Sequence, residues 1–160
     1  MNNSSFNEVL SEKVVNKSVE SRRSPKTQRD QRSLAFQLYY CIDRSSYEIS
    51  LEELIVELQR EYNIEIEANS FALSVVTGAL EHGDELEKMV EPKLKNWELN
   101  RLSCAVRMIL KMALFEMFYL KIPGTIVINE YLEITKGYAE KGAHRIINGI
   151  LDQISKEFFS

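Results

Sequence analysis

The sequence predicts an all-α protein, a compact bundle of about seven helices arranged as two packed three-helix-like subdomains. Three observations carry that expectation. Apolar residues recur at helical spacing, not in alternation, from Thr27 onward. The six glycines and three prolines of the 160 residues punctuate these periodic stretches and do not fall into strand-like turns. The segment 101–120 is apolar around almost its whole circumference, as befits a helix at the centre of a bundle. With 44% hydrophobic and 28% charged residues, the chain has the composition of an ordinary globular domain. A chain of this length buries roughly 70% of its unfolded surface and needs neither disulfides nor a structural metal.

A first helix is expected over about 27–43. A second, over 50–62, starts on a capping box made by Ser50 and Glu53. The third begins at Asn69 or Ser70, carries Phe71, Leu73, Val75, Val76, Ala79 and Leu80, and ends near Gly83. A fourth, about 84–95, aligns Leu86, Met89, Val90 and Leu94, with Pro92 as a late kink or an early stop. The fifth is the apolar segment 101–120, whose narrow polar strip is Arg107, Lys111 and Glu116. After the Pro123-Gly124 turn a sixth covers about 125–140, and Gly142 separates it from a seventh that reaches Phe158. The seam between the two halves falls near 83–100.

Residues 1–25 are polar, with a sparse apolar set, and read as a disordered tail ahead of one helical domain over 26–160. The net charge of −4 conceals an asymmetry. From Lys13 to Arg32 seven cations face two anions, a local charge of +5 that leaves −9 for the rest. A basic arm on an acidic body suits a protein whose one end meets phosphate, although a solvated tail has the same composition. Cys41 and Cys104 lie in apolar runs without metal-ligand spacing and read as small core residues of a reducing compartment. No run is long and apolar enough for a membrane span, and the N-terminus lacks a signal peptide's apolar stretch, so the expected location is the cytoplasm.

Catalytic constellations are missing from the sequence: it has no phosphate-binding glycine loop, no nucleophile elbow and no zinc-type His-Glu-x-x-His. His82 and His144 stand apart from each other and from any cysteine, so no metal and no cofactor is expected, and His82 reads as a packing or capping residue. Glu130, Glu133 and Glu140 share a face with Asn129 and Lys136 and read as solvated.

The first helix offers more. Leu34, Ala35, Leu38 and Ile42 occupy one sector, and Arg29, Arg32, Phe36 and Tyr40 roughly the opposite one. Cations beside aromatic rings on an exposed stripe suit single-stranded nucleic acid, with phosphates on the guanidinium groups and bases on the rings. Lys26, Arg22 and Arg23 extend the positive track. Equally, Phe36 and Tyr40 fit a second core face, and spacing does not choose between the two. A further candidate surface lies where His144 and Arg145 project from the last helix near Tyr138.

The C-terminal third carries a specific likeness. The run from Ile122 through Pro123, Gly124, Thr125, Ile126, Val127, Ile128 and Asn129 to Glu130 is followed by Glu133-Ile134-Thr135-Lys136-Gly137-Tyr138 and then by Ile147-Asn148-Gly149-Ile150-Leu151-Asp152. Together with Arg29, Arg32, Ala35, Gln37, Tyr40, Gly78, His82, Pro92, Arg101-Leu102, Ala113 and Glu116 in order, these runs resemble the NusB family of bacterial transcription antitermination factors over about 27–154. The resemblance implies an all-α double bundle and no catalysis. It implies binding to the boxA element of nascent ribosomal RNA together with NusE, a small-subunit ribosomal protein, during assembly of an antitermination complex on RNA polymerase. By resemblance Arg29 and Arg32 contact RNA, joined by Lys26 on charge grounds, while Tyr138, His144 and Arg145 match positions close to RNA. Tyr40 and Val106 match positions at the NusE interface. Val106 stands where an acid is usual, and Ile146 where the family commonly carries an aromatic ring. Two other readings are a stand-alone relative of the RNA-binding domain of ribosomal RNA cytosine methyltransferases, and a module that acts by self-association as a homodimer.

Overall fold

The computed structural model describes residues 25–95 and 98–160, so apart from Pro25 the expected tail lies outside the described residues. Among the described residues seven α-helices follow in order: α1 (Gln28–Arg44), α2 (Leu51–Tyr62), α3 (Phe71–Glu81), α4 (Gly83–Val90), α5 (Cys104–Phe118), α6 (Gly124–Tyr138) and α7 (Ala143–Phe159). Short 3-10 turns at Glu91–Lys93 and Leu99–Arg101 lie between α4 and α5.

The starts of the helices are chemical. The Thr27 and Ser50 side chains each accept a hydrogen bond from the backbone N–H three residues on, and the Asp30 and Glu53 carboxylates each accept one from the cap's own N–H. These reciprocal pairs satisfy donors that a helix otherwise leaves open. Ser70 and Ser103 cap α3 and α5 from one side only. Pro92 turns the end of the fourth helix into a 3-10 turn, so that helix stops at Val90, five residues before the expected end. A second 3-10 turn and the Ser103 cap likewise move the start of α5 to Cys104. Gly142, at φ +93°, takes the left-handed turn that launches α7 at little steric cost.

α1, α2 and α3 form one group, with α1 lying along α3; α5, α6 and α7 form the other, with α6 along α7. α5 also touches α1, α3 and α4, so it is the wall common to both halves. From Val106 to Met117 it exposes little besides Arg107 and Lys111, and Ile109, Met112, Ala113 and Leu114 have no accessible surface. Where α3 crosses α5 the helices approach closely: a Cβ on Gly78 would fall 2.0 Å from the Phe115 ring. His82 caps the end of α3 and stacks on Tyr119 at 4.1 Å between ring centres.

Three expectations are corrected here. Arg32 is buried, because α1 is wedged between both bundles and its second sector faces α5 and α6. Phe36 is buried there too, so the exposed cation-and-ring stripe does not exist as such; Arg29 and Tyr40 alone keep exposed or half-exposed positions. Val106 has no accessible surface, because it sits on the inner side of the first turn of α5, and it cannot touch a partner. Cys104, expected in the core, is exposed, and its thiol donates to Asp43 Oδ2 at 2.8 Å. Cys41 is buried, and burial pushes its thiol up to about 12.

Candidate nucleic-acid interface

The buried Arg32 forms the base of a charged ladder. Its Nε lies 3.0 Å from both carboxylate oxygens of Glu116 and its Nη2 2.6 Å from Oε1, with both side chains almost wholly out of water. Burial works against the Arg32 charge, but the hydrogen bonds and the field of Glu116 outweigh it and hold the guanidinium above its ordinary range. On its other side Arg32 Nη1 comes within 3.9 Å of Glu130 Oε2. Glu130, on α6, then grips Arg29 at the surface: Nε–Oε2 is 2.9 Å and Nη2–Oε1 is 3.0 Å. The alternation Glu116, Arg32, Glu130, Arg29 thus runs from the core to solvent and fixes how Arg29 stands. The hydrogen bonds from Arg29 hold the Glu130 carboxyl below the usual range against the effect of burial.

Arg29 keeps 56% of its side chain exposed and forms one edge of an open groove of about 420 Å³ between α1, α6 and α7. Asn129, Leu132, Glu133 and Lys136 of α6 and His144 of α7 complete its lining. Glu133 and Lys136 bridge one another at 2.6 Å along the helix. Lys26 is exposed just before α1, and Arg145 just after His144. So Arg29 and His144, 115 positions apart in the chain, line the same groove. Arg32 lies beneath it.

Tyr40 and Tyr138 flank the buried Phe36, with ring centres 6.1 and 4.6 Å away respectively. Gln37 Nε2 donates to the Tyr138 hydroxyl at 2.6 Å. Both tyrosines are half-buried, so each shows an edge to solvent beside the α1 surface.

In the sequence three of the lining residues, Asn129, Glu133 and Lys136, have only the character of a solvated face. The signal that marks them is their spacing, four and then three residues, which puts all three on one stripe of α6. Among the described residues no group of three or more His, Cys, Asp and Glu side chains comes together as a metal cage. No helix among them is long and apolar enough to cross a membrane.

The fold and the groove define a class: an all-helical double bundle whose distinguishing surface is a charged groove between the first helix and the last two. The chain belongs to the NusB family, whose model matches residues 29–156. Among its relatives is the transcription antitermination protein NusB of Exiguobacterium sp., 36% identical over 113 residues that cover 69% of this chain and 88% of that protein. NusB of Nitratiruptor sp. is 31% identical over 131 residues, 82% of this chain and 93% of the relative. Among solved structures, T. maritima NusB superposes with a TM-score of 0.71 at 28% identity, covering 84% of this chain and 94% of that one. A complex of the antitermination factors NusB and NusE with double-stranded RNA matches with a TM-score of 0.69 at 27% identity, covering 82% of this chain and 97% of the matched one.

Proposed function

We propose that this protein is a transcription antitermination factor. It binds single-stranded, boxA-type RNA of nascent ribosomal transcripts together with the ribosomal protein NusE and helps to assemble the antitermination complex on RNA polymerase. Membership of the NusB family across residues 29–156 carries this reading. The groove supports it from the residues upward: Arg29, Lys136 and His144 line it together, Lys26 is exposed just ahead of α1, and Arg145 is exposed next to His144 in the chain. We assign the RNA face to Lys26, Arg29, His144 and Arg145 with the edge of Tyr138, and the NusE face to Tyr40. The protein acts in the cytoplasm and as a binding adaptor without catalysis, its helical domain spanning 26–160.

The test is fluorescence anisotropy of a labelled boxA RNA titrated with the full chain, with and without NusE, at two salt concentrations and against a scrambled RNA. Sequence-dependent binding that NusE strengthens is the expected result. Arg29→Ala weakens binding, and Lys26→Ala lowers the slope of log affinity against log salt by about 1, because one phosphate contact no longer releases its counterion. Absence of RNA binding by the folded protein in both conditions overturns the proposal and leaves self-association as the reading to pursue.

A further inference from the structure

We infer that the groove between α1, α6 and α7 is a base-reading pocket that takes one guanine of the bound RNA, with Glu133 as the residue that selects it. This rests on the RNA-binding reading above and deepens it.

The balance of charge in the groove argues for a base. A track for phosphates carries an excess of cations. Here Arg29 is neutralised by Glu130 at 2.9 and 3.0 Å and Lys136 by Glu133 at 2.6 Å. What the groove offers is therefore a surface of paired charges and hydrogen-bonding groups, of about 420 Å³, within the roughly 300–1,000 Å³ of ordinary ligand sites. Arg29 is suited to a stacking role: two hydrogen bonds to Glu130 fix its guanidinium plane, yet more than half the side chain stays open. A guanidinium plane held in this way is a platform for an unstacked RNA base. Leu132 supplies an apolar patch in the same groove.

The α6 residues then select the base. An ionised carboxylate only accepts hydrogen bonds, and it accepts them on two oxygens. Among the RNA bases guanine alone sets two donors, N1–H and N2–H, side by side on its Watson–Crick edge, and single-stranded RNA exposes that edge. Glu133 suits this pair because its carboxyl is held below the usual range, first by the hydrogen bond from Lys136, and so stays ionised at neutral pH. Asn129 lies one turn earlier on the same stripe and has an amide donor for O6, next along that edge. His144 of the groove and the exposed Lys26 and Arg145 are left for the flanking phosphates.

The experiment uses the full chain and fluorescein-labelled 15-nucleotide oligouridines whose central residue is uridine, adenosine, guanosine or inosine. The guanosine oligomer binds about tenfold more tightly than the others, the scale of one two-bond base contact. Inosine, which lacks N2–H, loses most of that gain. Glu133→Gln replaces one acceptor by a donor and reduces the guanosine preference to within about twofold, while binding of the plain oligouridine is kept or strengthened because an anion has gone. Unchanged helicity shows that the variant folds. Equal binding of guanosine and inosine oligomers, or a guanosine preference that survives Glu133→Gln, overturns this inference and leaves the RNA-binding reading standing. Binding of none of the oligomers, nor of boxA RNA with NusE present, overturns both.

Discussion

Arg29 and Arg32 are three residues apart on one helix, and the depth at which each side chain ends separates their roles. Arg32 and Glu116 have side chains 3% and 0% exposed, so removing one strands the other as an unpaired buried charge. Arg32→Ala is expected to cost about 3–5 kcal/mol in urea denaturation. Arg32→Met combined with Glu116→Leu costs less than that single change, since neither charge is then left behind. Arg29→Ala leaves stability within about 0.5 kcal/mol, as expected for an exposed pair. At 100° per residue positions 32, 36 and 40 trace the same sector whether it faces water or a second core wall. The sequence therefore leaves the face undecided until α5 and α6 close over it. Acid behaviour follows from another carboxylate. Glu87 of α4 lies 2.8 Å from Arg107 and 3.0 Å from Lys111 of α5. Burial opposes its charge, but the hydrogen bonds from Lys111 and Arg107 prevail, so its carboxyl is held below the usual range. A depressed native value gives stability that is complete above the unfolded value of about 4.3 and is lost as pH falls through the native one. Glu87→Gln therefore lowers stability at pH 7 and flattens its fall below about pH 5, as urea midpoints across pH will show.

Helix starts were legible because a cap is a local event in which a hydroxyl and a carboxylate three residues apart satisfy each other's backbone donors. Thr27→Ala and Ser50→Ala are each expected to cost about 1 kcal/mol. The ends of the fourth helix and the start of the fifth were less legible, since Pro92 and the two 3-10 turns redirect the chain where apolar periodicity continues through Leu94 and Leu102. Packing between elements leaves a fainter trace. Gly78 is a lone glycine in an apolar helical run, and only the placement of α5 shows that Phe115 fills the space where a Cβ would stand. Phe115 cannot yield freely, because Tyr119 is stacked on it at 5.2 Å and His82 at 6.1 Å. Gly78→Ala is thus an overpacking change worth about 1–3 kcal/mol. Adding Phe115→Leu recovers part of the loss, a non-additivity that a double-mutant cycle measures directly. The groove of α6 belongs to the same class of hidden feature. Its stripe of Asn129, Glu133 and Lys136 has the polarity of any solvated face, and it becomes a groove wall only because α1 and α7 rise beside it.

At the scale of the whole molecule, the central position of α5 decides how the protein unfolds. Two three-helix groups joined at a thin seam would melt separately, as domains with small interfaces do. Here Val106, Ile109, Leu110, Ala113 and Leu114 are buried in a cluster that also takes in Ala35, Leu38 and Val76 from the first group and Val127, Tyr131 and Leu151 from the second. Neither group retains its core once α5 leaves. Unfolding in urea is therefore expected to be one transition, with far-UV and near-UV circular dichroism giving the same midpoint. Leu110, 1% exposed, is the probe: Leu110→Ala removes about 2–5 kcal/mol and moves both signals together. Two separated midpoints, in the parent or in this variant, would show that α5 serves one half alone. The same coupling bears on the RNA face, because Arg29 is held by Glu130 of α6 and, through Glu130 and Arg32, by Glu116 of α5. Leu110→Ala should accordingly leave RNA affinity unchanged wherever the variant is still fully folded. Arg32→Ala, which cuts the ladder in its middle, should weaken RNA binding even at temperatures where its helicity is intact.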